Sequence, residues 1–130
     1  DWKVSGQFSF RNTLGYTRGK FSDSGDPLPM IPPFKSRGEL RWSRGDLVAG
    51  VSVEAAARQA RVDRFEAPTA GYAIMDLFVQ YTLERGKTSH SFSLNVDNLF
   101  DREYRNHLSR VKSVMPEAGR NLRIMHRMFF

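Results

Sequence analysis

Histidine, arginine and carboxylate side chains are what this chain could build chemistry from, because it contains no cysteine. That absence removes disulfides, thiolate metal ligands and thiol nucleophiles together. The three histidines are His90, His107 and His126, and none has a second ligand at the spacing a metal site requires. His107 lies near Asp101 and Glu103 in a polar stretch, where it could touch a passing metal; a solvated loop histidine is the simpler reading. His126 falls among apolar residues and is expected at or near an interface, while His90 borders a turn and needs no role. Arg44-Gly45-Asp46 spells an adhesion tripeptide, yet Gly and Asp between two strand-like runs are ordinary turn chemistry. No paired carboxylates, phosphate loop or nucleophile–base pair stands out. The chain therefore does not read as an enzyme, and no catalytic residue, metal or cofactor is expected.

The remaining chemistry is charge. Lys and Arg number 20 against 14 Asp and Glu, a formal net charge of +6. The bases alternate with acids and small polar residues instead of interleaving with aromatic rings, so no nucleic-acid groove is indicated. One hundred and thirty residues is about one domain's worth of chain. No stretch approaches the roughly 18–20 apolar residues of a membrane-spanning helix. The opening Asp-Trp-Lys-Val-Ser-Gly is no signal peptide and lacks an initial Met, and it reads as part of a longer precursor.

Alternation with period two supplies the elements, because successive strand residues point to opposite faces. It recurs six times: Trp2 to Arg11, Phe34 to Trp42, Leu47 to Arg58, Tyr72 to Leu83, Ser91 to Asp97, and Asn121 to Phe130. One face of these runs, for example Leu77-x-Val79-x-Tyr81, contains no Asp, Glu, Lys or Arg. The other carries the bases Lys3, Arg11, Lys35, Arg37, Arg41, Arg58, Arg123 and Arg127 and the acids Glu39, Glu54, Asp76 and Asp97. Such a charge-free face meets either a protein core, as in a soluble β-sandwich or small ligand-binding β-barrel, or lipid.

Three features favour lipid. Residues 17–33, 59–71 and 101–119 form long polar connections, whereas 43–46 and 84–90 are short. Long loops alternating with tight turns are the habit of outer-membrane barrels. With the short turns on the periplasmic side, Trp2, Trp42, Tyr81 and Phe130 fall at the periplasmic strand ends on the apolar face. Rings of this kind anchor a membrane interface. The chain also stops inside a strand at the aromatic Phe130, similar to the signal read by the outer-membrane barrel-assembly machinery.

These residues resemble the C-terminal barrel strands of TonB-dependent outer-membrane receptors. The likeness rests on Leu28-Pro29-Met30-Ile31-Pro32-Pro33, Gln59-Ala60-Arg61-Val62, Glu66 to Tyr72, Asn98-Leu99-Phe100-Asp101 with Tyr104, Gly119-Arg120 and terminal Phe130. Asn106-His107-Leu108-Ser109 with Pro116 to Arg120 is similar to the branch associated with zinc uptake. The resemblance implies an all-β fold of about six antiparallel up-and-down strands, part of a plugged transmembrane barrel of about 22 strands. Residues 1–130 would be the C-terminal portion, lacking signal peptide and plug domain. The implied function is outer-membrane import of a scarce nutrient: a metal ion, a siderophore or haem. The implied partners are the outer-membrane bilayer, the plug of the full-length chain, TonB through a part outside this one, and the barrel-assembly machinery. His107 and Arg61 are the loop residues expected to contact cargo.

Overall fold

The computed structural model describes residues 2, 3 and 6–130. Asp1, Val4 and Ser5, the last two within the first alternating run, lie outside the described residues. Seven strands appear among those described: β1 Trp2–Lys3, β2 Phe8–Gly15, β3 Lys35–Arg44, β4 Leu47–Ala56, β5 Tyr72–Arg85, β6 Thr88–Asp97 and β7 Asn121–Phe129. They form one antiparallel sheet in which each strand pairs with its sequence neighbours, in the order β1 to β7.

Five of the six alternating runs become long strands, with ends shifted by a few residues. The first run is corrected. It is a two-residue strand end and a separate strand, folded so that Trp2 pairs with Phe10 and Lys3 with Ser9. Trp2 and Phe10 keep the same place in the alternation, so two paired strands read as one in the sequence.

The two short connections are tighter than the sequence suggests. Arg44 pairs with Leu47, leaving Gly45 and Asp46 as the turn, and Arg85 pairs with Thr88, leaving Gly86 and Lys87. Gly45 and Gly86 take φ values of +55° and +63°, a left-handed conformation that glycine adopts without a Cβ penalty. The adhesion tripeptide is thus a strand end and its turn.

Register then sorts the faces. Phe8, Trp42, Ala49, Val79, Leu94 and Ile124 form one cross-strand row on the apolar face. Ser52 and Asp76 pair on the other, with Arg37 opposite Glu54 one rung away. Among the described residues no second layer covers the apolar row: Val79, Leu94 and Ile124 are exposed, and the only buried apolar side chains are Ala56 and Tyr72. The alternative of a soluble β-sandwich or small closed barrel is therefore set aside, because the molecule is an open single-layer sheet. Its long connections, 16–34, 57–71 and 98–120, lie at one end, and turns 45–46 and 86–87 at the other.

Candidate functional site

The three long loops converge on one buried cluster. His107, on the loop after β6, is 1% exposed. Its Nδ1 lies 2.9 Å from the Thr69 hydroxyl of the loop after β4. Its Nε2 lies 3.2 Å from Glu66 Oε1 but makes no hydrogen bond there. Lys112 joins the same carboxylate at 2.7 Å and donates to the His107 carbonyl at 2.9 Å. The Met30 N–H, from the loop after β2, donates to Glu66 Oε2 at 3.1 Å. One carboxylate therefore ties three loops.

Electrostatics follow from the burial. Desolvation pushes the His107 imidazole below its usual range, the Lys112 ammonium adds to this, and Glu66 opposes it. Desolvation alone would raise Glu66, but the Lys112 and Met30 donors and the positive neighbourhood hold it below the usual carboxylate value.

Below that cluster, Asn98-Leu99-Phe100-Asp101 works as a clamp. Asn98 and Asp101 adopt positive φ, +50° and +53°, which short polar side chains tolerate better than most. Buried Asn98 exchanges hydrogen bonds with Arg102: its Nδ2 donates to the Arg102 carbonyl at 2.8 Å, and its Oδ1 accepts the Arg102 N–H at 2.9 Å. Its own N–H donates to Asp76 Oδ1 at 2.9 Å, and Asp101 Oδ1 accepts the Arg120 N–H at 2.7 Å. A Cβ on Gly119 would stand 2.6 Å from that Asp101 oxygen, which explains a glycine there. The motif thus fixes both ends of the last long loop to the sheet.

Across the polar face, several of the charges pair within the sheet. Lys35 sits 2.8 Å from Glu54, and Arg37 lies 3.6 Å from both Glu54 and Asp76. Ser52 relays between Arg37 and Asp76 at 3.1 and 3.2 Å, while Arg123 makes two 2.9 Å bonds to Asp97. Such pairs suit a hydrated surface.

The structure separates the residues singled out from sequence. His107 is enclosed by Glu66, Thr69 and Lys112 instead of being solvated beside Asp101 and Glu103, because the loops fold over it. Arg61 is exposed on the second loop and makes none of that cluster's contacts. Trp2, Trp42 and Tyr81 lie toward the short-turn end, where Phe130 directly follows β7; Trp2 and Phe130 are 69% and 96% exposed. Trp2 stacks on Phe10 at 6.1 Å, and Trp42 Nε1 donates to Gln7 at 3.3 Å.

Sequence reasoning missed two groupings. Glu66 and Lys112 carry no local signal, since their meeting depends on loop closure. His90 and His126, separate in sequence, meet across β6 and β7 at 3.1 Å between Nδ1 and Nε2, with Phe92 stacked on His126 at 4.5 Å. Extending the alternation from Phe92 back to His90 would have placed both histidines on one face. Among the described residues, no group of three metal-ligating side chains forms.

Residues 1–99 match the family model described as TonB dependent receptor-like, beta-barrel. No curated protein matches the chain. Among solved structures that do, the copper transporter OprC superposes with a TM-score of 0.87 at 28% identity, over 98% of this chain and 22% of that one. The chain thus spans about a fifth of that transporter's length.

Proposed function

The chain belongs to the TonB-dependent receptor-like β-barrel family, and from that premise we propose that residues 1–130 form the C-terminal wall of an outer-membrane importer. Its six long strands would be one arc of a cylinder of about 22. The charge-free face would meet acyl chains, and the paired polar face would line a hydrated lumen against a plug domain carried elsewhere in the full-length protein. TonB would act on that plug, and the barrel-assembly machinery would read the strand ending at Phe130. Trp2, Trp42, Tyr81 and Phe130 would anchor the periplasmic interface.

The observation that carries this reading is the uncovered apolar sheet face. Exposing such a face to water is costly at about 25 cal/mol per Å², whereas lipid removes that cost. The cargo we favour is a metal ion, supported by the likeness to a copper transporter; siderophore and haem remain within the class. His107 holds loops together in this reading, while Arg61, exposed on the second long loop, is the residue offered to cargo at the outer end.

Fractionation of cells producing the full-length receptor tests the proposal, combined with uptake of copper, zinc, ferric siderophore and haem with and without TonB. The expected result is outer-membrane recovery, heat-modifiable gel migration and TonB-dependent uptake of one cargo. Recovery in the soluble fraction would overturn it.

A further inference from the structure

At the long-loop end, the apolar face terminates in a rim. Leu14 pairs with Ser36 and Ser36 with Ala55, so the same registers set Tyr16 beside Phe34 and Phe34 beside Ala57. The Ala57 N–H donates to the Phe34 carbonyl at 2.9 Å, extending the ladder to that row. Immediately beyond it lies a cavity of about 370 Å³ between the first and second long loops. Four bases line it, Arg18, Lys20, Arg58 and Arg61, together with Tyr16 and Phe34.

The walls are built. Lys20 bridges Pro27, with Leu28 N–H donating to Gly19 at 3.2 Å, and Gln59 bridges Thr69. Gln59 Nε2 then donates to the Ile31 carbonyl at 2.8 Å, joining one wall to the other. No Asp or Glu lines the cavity. Among the described residues, none of the four bases makes an ion pair or a hydrogen bond through its side chain. Elsewhere Lys35, Arg37, Lys112 and Arg123 all have carboxylate partners. Four like charges around one cavity repel each other until an anion enters.

We propose that this cavity holds the phosphorylated headgroup of a membrane amphiphile whose acyl chains descend along the apolar face past Tyr16 and Phe34. Guanidinium groups recognise phosphate oxygens through paired N–H donors, and lysine adds a point charge. A free anion would satisfy the bases but leave the adjoining aromatic rim uncovered. An amphiphile satisfies both, because charge and apolar surface meet at one line. This assignment rests on the apolar face being lipid-facing, and it takes Arg61 from cargo to lipid.

The test uses the full-length receptor in mixed micelles containing dioleoyl phosphatidic acid or dioleoyl phosphatidylcholine, with retained lipid counted by native mass spectrometry. Wild-type protein is expected to retain the phosphatidic acid at least about tenfold better. R18Q/K20Q and R58Q/R61Q should each reduce that retention by about tenfold or more, since each removes two of the four charges that face the phosphate. R58K/R61K should keep most of it, and R85Q/K87Q at the opposite end should leave it unchanged. Heat-modifiable migration reports whether each variant is folded, and the charge-keeping pair decides the matter if a glutamine variant is not. Equal retention of the two lipids by wild type would overturn the proposal. So would inorganic phosphate binding that the glutamine variants abolish while lipid retention persists. A receptor recovered in the outer membrane that fails these tests sinks only this inference; one recovered as soluble protein sinks the parent reading.

Discussion

His107 shows how one buried side chain can make a loop assembly sensitive to acid. Its proton affinity is lowered by burial, then by Lys112, with Glu66 offsetting part of the effect. In the opened loops it would return toward its ordinary value of 6.5, so the open form takes up a proton first as pH falls. The contribution is therefore present above about 6.5 and lost as pH drops through the lowered folded value. Glu66, also lowered, adds a second contribution, present above about 4.5 and lost below it. Hydrogen exchange of amides 104–114 in the full-length receptor, corrected for intrinsic rates, should accelerate in these two steps. H107Q should remove the upper step and leave the lower. E66Q should loosen the same amides at neutral pH by about 2 kcal/mol, because Lys112 loses its carboxylate and the Met30 N–H a charged acceptor. Unchanged exchange in E66Q would remove Glu66 from its place as the tie between loops.

Strands place the next demands. Gly50 on β4 faces Phe78 on β5, and a Cβ there would stand 2.5 Å from the Phe78 ring and 2.8 Å from the Leu40 carbonyl. The ring covers the glycine, so G50A must displace both ring and backbone. An expected loss of about 1–3 kcal/mol would appear as a lower urea midpoint in the folded receptor. Face assignment gives a sharper contrast. Leu77 lies on the apolar face of β5 and Gln80 on the polar face. Leu77→Arg should cost about 2–4 kcal/mol if its surroundings are hydrocarbon, whereas Gln80→Arg should change little. Equal effects in a urea titration would contradict the assignment of faces.

At the scale of the whole molecule, the sheet is unfinished. Among the described residues no strand pairs with the outer edge of β7, and β2 is covered by only two residues of β1. Unpaired edges recruit other strands, and the apolar face adds a second surface for association. The 130-residue chain produced alone and refolded without detergent should therefore run as oligomer or aggregate in size-exclusion chromatography. The same residues inside the full-length receptor should not nucleate association. A monodisperse soluble monomer of the isolated chain would mean that a closed fold exists which this sheet does not represent.

Alternation by itself determined that the chain is β, which side chains share a face, and that one face carries no charge, because strand geometry maps odd and even positions to opposite sides without further information. Loop lengths settled which end is elaborate, and Gly45 and Gly86 marked the tight turns. What only the tertiary structure decided depends on contacts distant in sequence. The division of the first run into two strands, the meeting of His90 with His126, and the burial of His107 beneath Glu66 and Lys112 all require register or loop closure. So does the gathering of Arg18, Lys20, Arg58 and Arg61 around one cavity: bases on separate loops have no shared period, and only the folded backbone brings them within range of a common anion.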